Sequence, residues 1–431
     1  MRPLDRPHYE FWERGSGRPT SELAGQQGLE PPWALAAPGL FKGVEEAGGR
    51  AYLRGPGKRF PVGGVALGRE WTADRVHADL GFVSDAVGGL DVLTLSASEM
   101  EDLAALLIVA LRLDVPAVLV PTGGSPSDAA FCAMGLVPLA RDPAGVALSM
   151  AGDGGPRPRE LVDTFSLANA LRAGLAAGGG PELLVHLAAL AREAGVTGFS
   201  QMIRVLASEI PGADPEWLRE HGVPGLLSSL GDTLHDVPTV EGNLKENLPF
   251  VPPAPGEHSR LVFIRARASG AEAVCRVRKG VTEAAGKCRV FSSEKEAVAS
   301  VRRGEVGEGT LLAVGGCGPR GGPGLLRLNA LGRTLEEAAL EVPVMTDGLA
   351  PEGAAGTWIS LFTPEAAAGG VLSLLQNGDS LRIDLAEGRI RTRAREFESR
   401  EPAVFPTRTG TGYAARYVRS ALPALEGAGF G

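Results

Sequence analysis

The chain has 431 residues, 44% of them hydrophobic and 22% charged, which is typical of a soluble globular protein. This length exceeds that of one ordinary hydrophobic core and predicts two domains. A formal net charge of −8 gives no basic surface for nucleic acid, so we expect no such partner. The most apolar run, Leu103–Val120, contains Arg112, Asp114 and Pro116 and is a poor membrane span.

The lack of a secretory signal and of a membrane span predicts a cytoplasmic protein. The first 39 residues are polar and proline-rich, lack the apolar segment of a secretory signal, and predict an irregular arm over 1–39. The cysteines have no CxxC spacing, which argues against a disulfide framework and a zinc site and predicts small, partly buried side chains. There are four of them, Cys132, Cys275, Cys288 and Cys317.

Residues 40–246 predict an α/β domain with a parallel sheet. Apolar runs at Val92–Leu95 and, between two prolines, at Ala117–Val120 are typical of buried strands. Between them, Glu99–Leu113 has apolar residues at helical spacing. A strand, a helix and a strand in this order form a βαβ unit, whose strands are parallel. Further helices are predicted at Phe41–Ala47, Arg159–Ala177, Pro181–Ala194, Asp214–His221 and Pro224–Leu230.

A proline-rich linker at 247–258 separates this domain from a second one at 259–431. Its prolines fit neither a helix nor a central strand, so we place the domain boundary there. The second domain has many strand-like segments and short helices, which predicts a β-rich, barrel-like sheet. The predicted strands are Arg260–Arg265, Ala273–Val277, Thr310–Val314, Val342–Met345 and Ser380–Ile383, and the predicted helices are Ser293–Val301 and Thr334–Leu340.

Several motifs occur in a fixed order along the chain. The first domain contains GGGPELLVHLAALAREAGV at Gly178–Val196, and the second contains GPRGGPG at Gly318–Gly324, MTDG at Met345–Gly348 and TPEAAAGG at Thr363–Gly370. With gaps, these segments resemble the dihydroxy-acid dehydratase and phosphogluconate dehydratase family over most of the chain after Leu40. The resemblance implies a homodimer with its site in the cleft between the domains.

The resemblance implies the following chemistry for members of that family. An iron–sulfur cluster bound by cysteines and a nearby Mg²⁺ activate the leaving hydroxyl, and a serine removes the α-proton. The first cluster loop, C-D-G-I-A-M-G-H, corresponds to Pro61–His77, which has no cysteine. The G-C-D-K motif corresponds to Ser98, Glu99, Met100 and Glu101. Cysteine, metal aspartate and lysine are therefore all replaced. Cys132 is the only candidate for the third cluster cysteine, and one thiolate cannot hold a cluster.

The second domain departs from the family pattern in the same way. Arg327 stands where the family has a metal-binding glutamate, and Pro351 stands where it has the serine base. The G-G-S-T-N motif corresponds to Gly178–Glu182, which ends on Glu182. We therefore expect neither a cluster nor a bound metal ion, and no other cofactor.

Five residues are candidates for acid–base catalysis. Glu99 and Glu101 lie at the carboxyl end of a predicted parallel strand, where α/β sheets place ligands; alternatively they open the next helix, with Ser98 as its N-cap. Asp347 faces the cleft or supports a tight turn. The other two are Glu352, alternatively an exposed loop residue, and His77.

Arg327 and Glu182 are the candidates for substrate binding. The guanidinium of Arg327 can hold a substrate carboxylate or phosphate. Alternatively, it forms a salt bridge with Glu99 or Glu101 and replaces the charge of the lost Mg²⁺. The histidine at His186 lies within an apolar helix and is interpreted as a satisfied core residue.

Two functions are compatible with this sequence. The first is a cofactor-independent lyase, isomerase or cyclase that acts on a small polar metabolite. The second is an inactive family member that binds a metabolite or a partner protein. A cleft with converging polar groups would favour the enzyme, and a cleft filled by side chains would favour the binding protein.

Overall fold

The computed structural model describes residues 33–36, 50–53, 63–87, 90–97, 99–120, 125–254, 258–266, 270–391, 400–405 and 412–431. The predicted helix Phe41–Ala47, the residue Ser98 and most of the predicted arm lie outside this described part.

The N-terminal sheet has four strands, and every neighbouring pair is parallel. Its spatial order is β2-β1-β3-β4, with the strands β1 (Trp33–Ala36), β2 (Arg50–Leu53), β3 (Val92–Leu95) and β4 (Ala117–Leu119). The predicted parallel sheet is confirmed. Strand β1 lies within the segment that was predicted to be irregular. It was not predicted because its four residues are flanked by prolines and pair with strands that are distant in sequence.

The described residues of this region also form nine helices. They are α1 (Val65–Val87), α2 (Met100–Leu113), α3 (Pro126–Ala133), α4 (Pro143–Asp153), α5 (Pro158–Leu161), α6 (Thr164–Ala176), α7 (Pro181–Glu193), α8 (Phe199–Leu206) and α9 (Pro215–Leu230). The predicted βαβ unit is present as β3, α2 and β4. Helix α9 bends at Gly222, which has a φ of 63°, where two separate helices were predicted. None of the helices described is long and apolar enough to cross a membrane.

The C-terminal region forms a closed eight-stranded β-barrel. Three two-residue strands precede it, β5 (Pro211–Gly212), β6 (Pro238–Thr239) and β7 (Gly242–Asn243). The barrel strands are β8 (Ser259–Ala266), β9 (Ala271–Arg278), β10 (Glu283–Phe291), β11 (Thr310–Val314), β12 (Val344–Thr346), β13 (Trp358–Thr363), β14 (Ser380–Asp384) and β15 (Arg389–Arg391). Their order is β15-β14-β10-β11-β12-β13-β9-β8, and β15 pairs with β8 to close the barrel.

The barrel confirms the predicted fold class. Strands β10, β13 and β15 were not predicted; the last is only three residues long, and β10 mixes glycine and charged residues with its apolar ones. The helices of this region are α10 (Glu294–Arg302), α11 (Asn329–Glu337) and α12 (Tyr413–Ser420).

The two regions are joined directly beside the site described below. The amides of Gly64, Val65 and Ala66, at the start of α1, donate to the carbonyls of Pro323, Leu325 and Gly324 at 2.8–3.1 Å. Buried side chains of the barrel region, among them Leu325 and Leu349, belong to the same hydrophobic core as the helices of the first region. The glycine-rich turn before Arg327 is therefore fixed against α1.

Candidate functional site

Four polar side chains from three parts of the fold meet at this junction, and we call them the Arg327 cluster: Glu101, Glu182, His186 and Arg327. The Nη2 of Arg327 lies 2.5 Å from Oε1 of Glu182 and 3.7 Å from Oε2 of Glu101. The Nε2 of His186 lies 3.4 Å from the same Oε1 of Glu182. The side chains of Arg327, Glu101 and Glu182 are 15%, 11% and 20% exposed, so the cluster is mostly shielded from water.

Local structure explains why these side chains converge. Helix α2 begins directly after strand β3, and Glu101 lies in its first turn. Helix α7 begins with Pro181, and Glu182 lies in its first turn. The positive ends of both helix dipoles therefore favour these carboxylates. Arg327 is held by a parallel bridge to Leu349 and by the bond from the Leu328 amide to the Leu349 carbonyl.

The environment separates the two carboxyl groups of the cluster. Burial, followed by the charge of Glu182, raises the pKa of Glu101 to about 7. Burial also opposes ionisation of Glu182, but the close approach of His186 and the charge of Arg327 outweigh it and lower the pKa of Glu182. At neutral pH, Glu182 is ionised while Glu101 is close to its midpoint, which is the condition for proton transfer by Glu101.

Arg327 keeps one donor for which the described residues offer no acceptor. Its Nη2 binds Glu182, but its Nε is buried and has no hydrogen-bond partner in the described part of the chain. Burial lowers the pKa of Arg327, but the charges of Glu182 and Glu101 outweigh it, so the guanidinium stays charged. A buried donor without an acceptor is costly and points to a site that a ligand oxygen can complete.

The predicted site residues do not all come together. Glu101, Glu182 and Arg327 do, and the predicted salt bridge between Arg327 and Glu101 is present at 3.7 Å. Glu99 is the N-cap of α2, one residue later than the predicted cap Ser98, and makes no side-chain capping bond. Within the described residues, Glu99 makes no ion pair with Arg327.

The remaining predicted catalytic residues lie apart from the hydrogen bonds of the cluster. Asp347 is buried and accepts hydrogen bonds from the amides of Gly316, Cys317 and Ala366, as expected of a carboxylate that supports turns. Glu352 is exposed. Burial has the largest effect on the pKa of Arg327 and lowers it, whereas the charge of Glu352 raises this pKa by the smallest of the contributions.

His77 is half-buried on α1. Among the described residues, its ring makes no hydrogen bond to a member of the Arg327 cluster. On sequence alone, the stretch that contains it was aligned with a cluster loop, and the described residues of this stretch form helix α1 from Val65 onward.

The sequence left two contributing residues unassigned. His186 was interpreted as a core histidine; it is buried and hydrogen-bonded, but it also joins the cluster. The signal for this was available, because Glu182 and His186 are four residues apart and share one helix face. Arg69 was not considered, although its Nη1 lies 3.3 Å from Nδ1 of His186.

The comparisons with known proteins agree with this architecture. The family model described as dihydroxy-acid/6-phosphogluconate dehydratase C-terminal matches residues 266–428. Residues 266–428 therefore resemble the C-terminal region of this dehydratase family. A dihydroxy-acid dehydratase of Geobacter metallireducens is 31% identical over 305 residues, covering 64% of this chain and 55% of that protein. That of Geobacter sulfurreducens is 31% identical over 309 residues, covering 63% and 55%. The chain spans about half the length of these curated relatives.

The cysteines of this chain do not fit an iron–sulfur cluster. All four are buried, and they lie in three different hydrophobic cores. One core contains Cys132, a second contains Cys275 and Cys288, and a third contains Cys317. Burial raises the pKa of the Cys275 and Cys288 thiols to about 12 and also raises that of Cys132. Cluster ligands are thiolates.

The Arg327 cluster also does not fit Mg²⁺ as it stands. The donors of Glu101, Glu182 and His186 lie within 4.8 Å of one another, a spacing compatible with a metal ion. However, the guanidinium of Arg327 already binds the Glu182 oxygen, and Mg²⁺ prefers an all-oxygen octahedral shell. We derive no chemical step through a metal ion or a cluster.

Proposed function

We propose that this dehydratase-family protein is an enzyme of the lyase, isomerase or cyclase type that works without an iron–sulfur cluster or metal ion. Its substrate would be a small polar metabolite bound at the Arg327 cluster. The observation that carries the proposal is the combination of Glu101, whose pKa is raised to about 7 by burial, with a charged Arg327 that has a buried donor to spare.

The proposed roles follow from this chemistry. Arg327 would donate from Nε to a carboxylate or carbonyl oxygen of the substrate and stabilise the negative charge that forms when a neighbouring C–H bond is broken. Glu101 would take that proton. In an isomerisation it returns the proton to another atom of the same substrate. In an elimination it delivers the proton to the hydroxyl group, which leaves as water while the carbon–carbon double bond forms.

Solvent-proton exchange is the most general test, because it does not require the product to be known. The protein would be incubated in D₂O with a panel of small hydroxy acids and sugar acids, and NMR would follow exchange of the hydrogen next to the carboxylate. We expect exchange with at least one compound, loss of it in Glu101→Gln, and retention in the surface control Glu216→Gln. Wild-type protein that exchanges no compound would contradict an enzyme of this kind.

Independence from a cluster and from a metal ion is a separate part of the proposal. Protein purified anaerobically should have no visible absorption from iron–sulfur charge transfer and no stoichiometric iron or magnesium. Stoichiometric iron would overturn this part. Light scattering on the same sample tests the proposed homodimer.

The alternative is a non-catalytic family member that binds a metabolite or a partner protein. It is favoured by the same ion pairs, since Arg327 is already neutralised by Glu182 and its side chain is mostly buried. Binding of a metabolite measured by calorimetry, without proton exchange in D₂O, would support this alternative over the enzyme.

A further inference from the structure

Arg69 is a buried cation behind the Arg327 cluster. Its side chain is fully buried on α1, and its Nη2 donates to Oε1 of Glu70 at 2.8 Å and to the carbonyl of Gly427 at 2.6 Å. Its Nη1 lies 3.3 Å from Nδ1 of His186. The charge of Arg69 is therefore matched by Glu70, and one of its donors is directed at the histidine.

The position of His186 between two partners determines where its proton lies. Arginine has donors only, so the contact with Arg69 requires Nδ1 of His186 to be the acceptor. Burial, the largest effect, lowers the pKa of His186, so the ring is neutral at pH 7. A neutral imidazole has one N–H, which must then be on Nε2, the nitrogen 3.4 Å from Oε1 of Glu182.

We propose that Arg69 is a positioning residue that fixes His186 as the Nε2–H tautomer, so that the positive end of this N–H faces Glu182 and stabilises the carboxylate beside Arg327. The importance of this contact for catalysis rests on the proposed function, because Arg69 and His186 lie behind Glu101, Glu182 and Arg327, where the substrate is proposed to bind. With the other tautomer, a lone pair of Nε2 would face the ionised carboxylate of Glu182. Glu182 would then turn away, and its hold on Arg327 would weaken.

Each contact in this layer has one compatible direction. Arg69 donates to Nδ1 of His186, and Glu182 accepts from Arg327. The Nε2 of His186 forms no hydrogen bond within the described residues, but it lies 3.4 Å from Oε1 of Glu182, so an N–H there faces the carboxylate. The charged groups that act on His186 are Arg69, Glu182 and Arg327, from three separate elements. The Nδ1–H tautomer of His186 would disrupt its contacts with both Arg69 and Glu182. The single buried donor of Arg69 can therefore control how Glu182 is oriented.

Nitrogen-15 NMR of histidine-labelled protein tests the proposal, because the two ring nitrogens have different shifts in each tautomer. The signals of His186 are assigned among the six histidines by their loss in His186→Gln. We expect wild-type protein to show His186 as the pure Nε2–H form. A wild-type Nδ1–H form overturns the proposal without any variant at Arg69.

The variant Arg69→Met/Glu70→Gln removes the donor together with its buried counter-charge, so that no unpaired carboxylate remains. We expect the single tautomer to be lost and a mixture with the Nδ1–H form to appear. Arg69→Lys keeps a cationic donor and should retain more of the Nε2–H form. A folded double variant that still shows pure Nε2–H overturns the proposal.

The tautomer readout is independent of turnover. If wild-type protein exchanges no substrate proton but the tautomer responds to Arg69, the proposed enzyme fails and the positioning of His186 stands. If exchange occurs and the tautomer does not respond, the enzyme stands and the role of Arg69 is wrong. If the proposed enzyme activity and the role of Arg69 are both correct, the double variant should lower kcat for proton exchange more than it raises KM, because it disturbs the residues that position Glu182 and Arg327.

Discussion

Two groups of buried or mostly buried carboxylates in the described part of the chain differ in their hydrogen-bond partners. In the Arg327 cluster, Glu101 and Glu182 contact an arginine and a histidine side chain. In the barrel region, Asp347 and Glu365, which we call the turn carboxylates, accept only from backbone amides in the hydrogen bonds described. Side-chain partners can change protonation or move, whereas backbone amides are fixed. The first pair is therefore suited to chemistry, and the second to holding the loops around it.

The turn carboxylates have a clear structural task. Asp347 is 1% exposed and binds amides of both the glycine-rich turn and the segment after β13. Glu365 accepts from the amides of Arg320 and Gly321 in the same turn at 3.0–3.1 Å. This turn leads directly to Arg327, so the structural carboxylates set the path that places the functional arginine.

The largest expected effect is the loss of Asp347. Asp347→Ala leaves three backbone amides without their acceptor. We expect a loss of about 4 kcal/mol in the free energy of unfolding, because buried unsatisfied donors cost about 1–3 kcal/mol each and relaxation recovers part of this. Urea denaturation measures the effect. The control Asp232→Asn, at an exposed position, should change stability by less than about 0.5 kcal/mol. A small change in Asp347→Ala would contradict the structural role.

Removing the cation of the Arg327 cluster should have the next largest effect. Arg327→Met leaves Glu182 mostly buried and without its closest charged partner. We expect the free energy of unfolding to fall by about 2–3 kcal/mol, which is less than for a fully buried pair because both side chains are partly exposed. Glu182→Gln added to this variant should recover part of the loss. Urea denaturation of the four proteins in this cycle gives the coupling energy. Additive single effects would mean that the 2.5 Å contact contributes nothing.

The pH dependence of stability should be the same for one carboxylate of each group. Burial raises the pKa of both Glu101 and Glu365 to about 7, from 4.5. Between these values the folded protein binds more protons than the unfolded chain, so stability is highest below pH 4.5 for these groups and falls as the pH rises through 7. Each group contributes about 2–3 kcal/mol over this window.

Glu101→Gln and Glu365→Gln should each flatten the stability profile between pH 4.5 and 7, as measured by urea denaturation at several pH values. Only Glu101→Gln should also abolish proton exchange in D₂O. If Glu365→Gln abolishes exchange in a folded protein, the division between chemical and structural carboxylates is wrong.

The sequence predicted the elements whose pattern is local. The βαβ unit of β3, α2 and β4 and helix α7 were found from apolar spacing and terminal signals, because each lies in one continuous stretch. Strand β1, with only four residues, and strand β15, with three, depend on partners far away in sequence. Their formation is decided by tertiary pairing, which a single sequence does not display.

The candidate site shows the same division. The contact of Arg327 with Glu101 was predicted because both positions correspond to ligands of one ion in the family. The contact of Arg327 with Glu182, and of Arg69 with His186, joins residues 145 and 117 positions apart. The catalytic interpretation of Asp347 could not be weighed from sequence, since the amides that bind its carboxylate carry no residue-specific signal.

The smallest expected effect is a difference between two glycine variants, and it concerns the C-terminal segment that contacts Arg69. Gly427 has a φ of 96°, and a Cβ there would lie 2.7 Å from the Ala189 amide nitrogen in α7. Gly280 has a similar φ of 87° with nothing within 4 Å, so Gly280→Ala costs about 1–2 kcal/mol from the backbone alone. Gly427→Ala should cost about 1–2 kcal/mol more, because Ala189 is rigid helical backbone. It should also move the Gly427 carbonyl away from Arg69 and broaden the His186 signals, whereas Gly280→Ala should leave those signals unchanged. Equal losses of stability in the two variants would show that this segment does not pack tightly against α7.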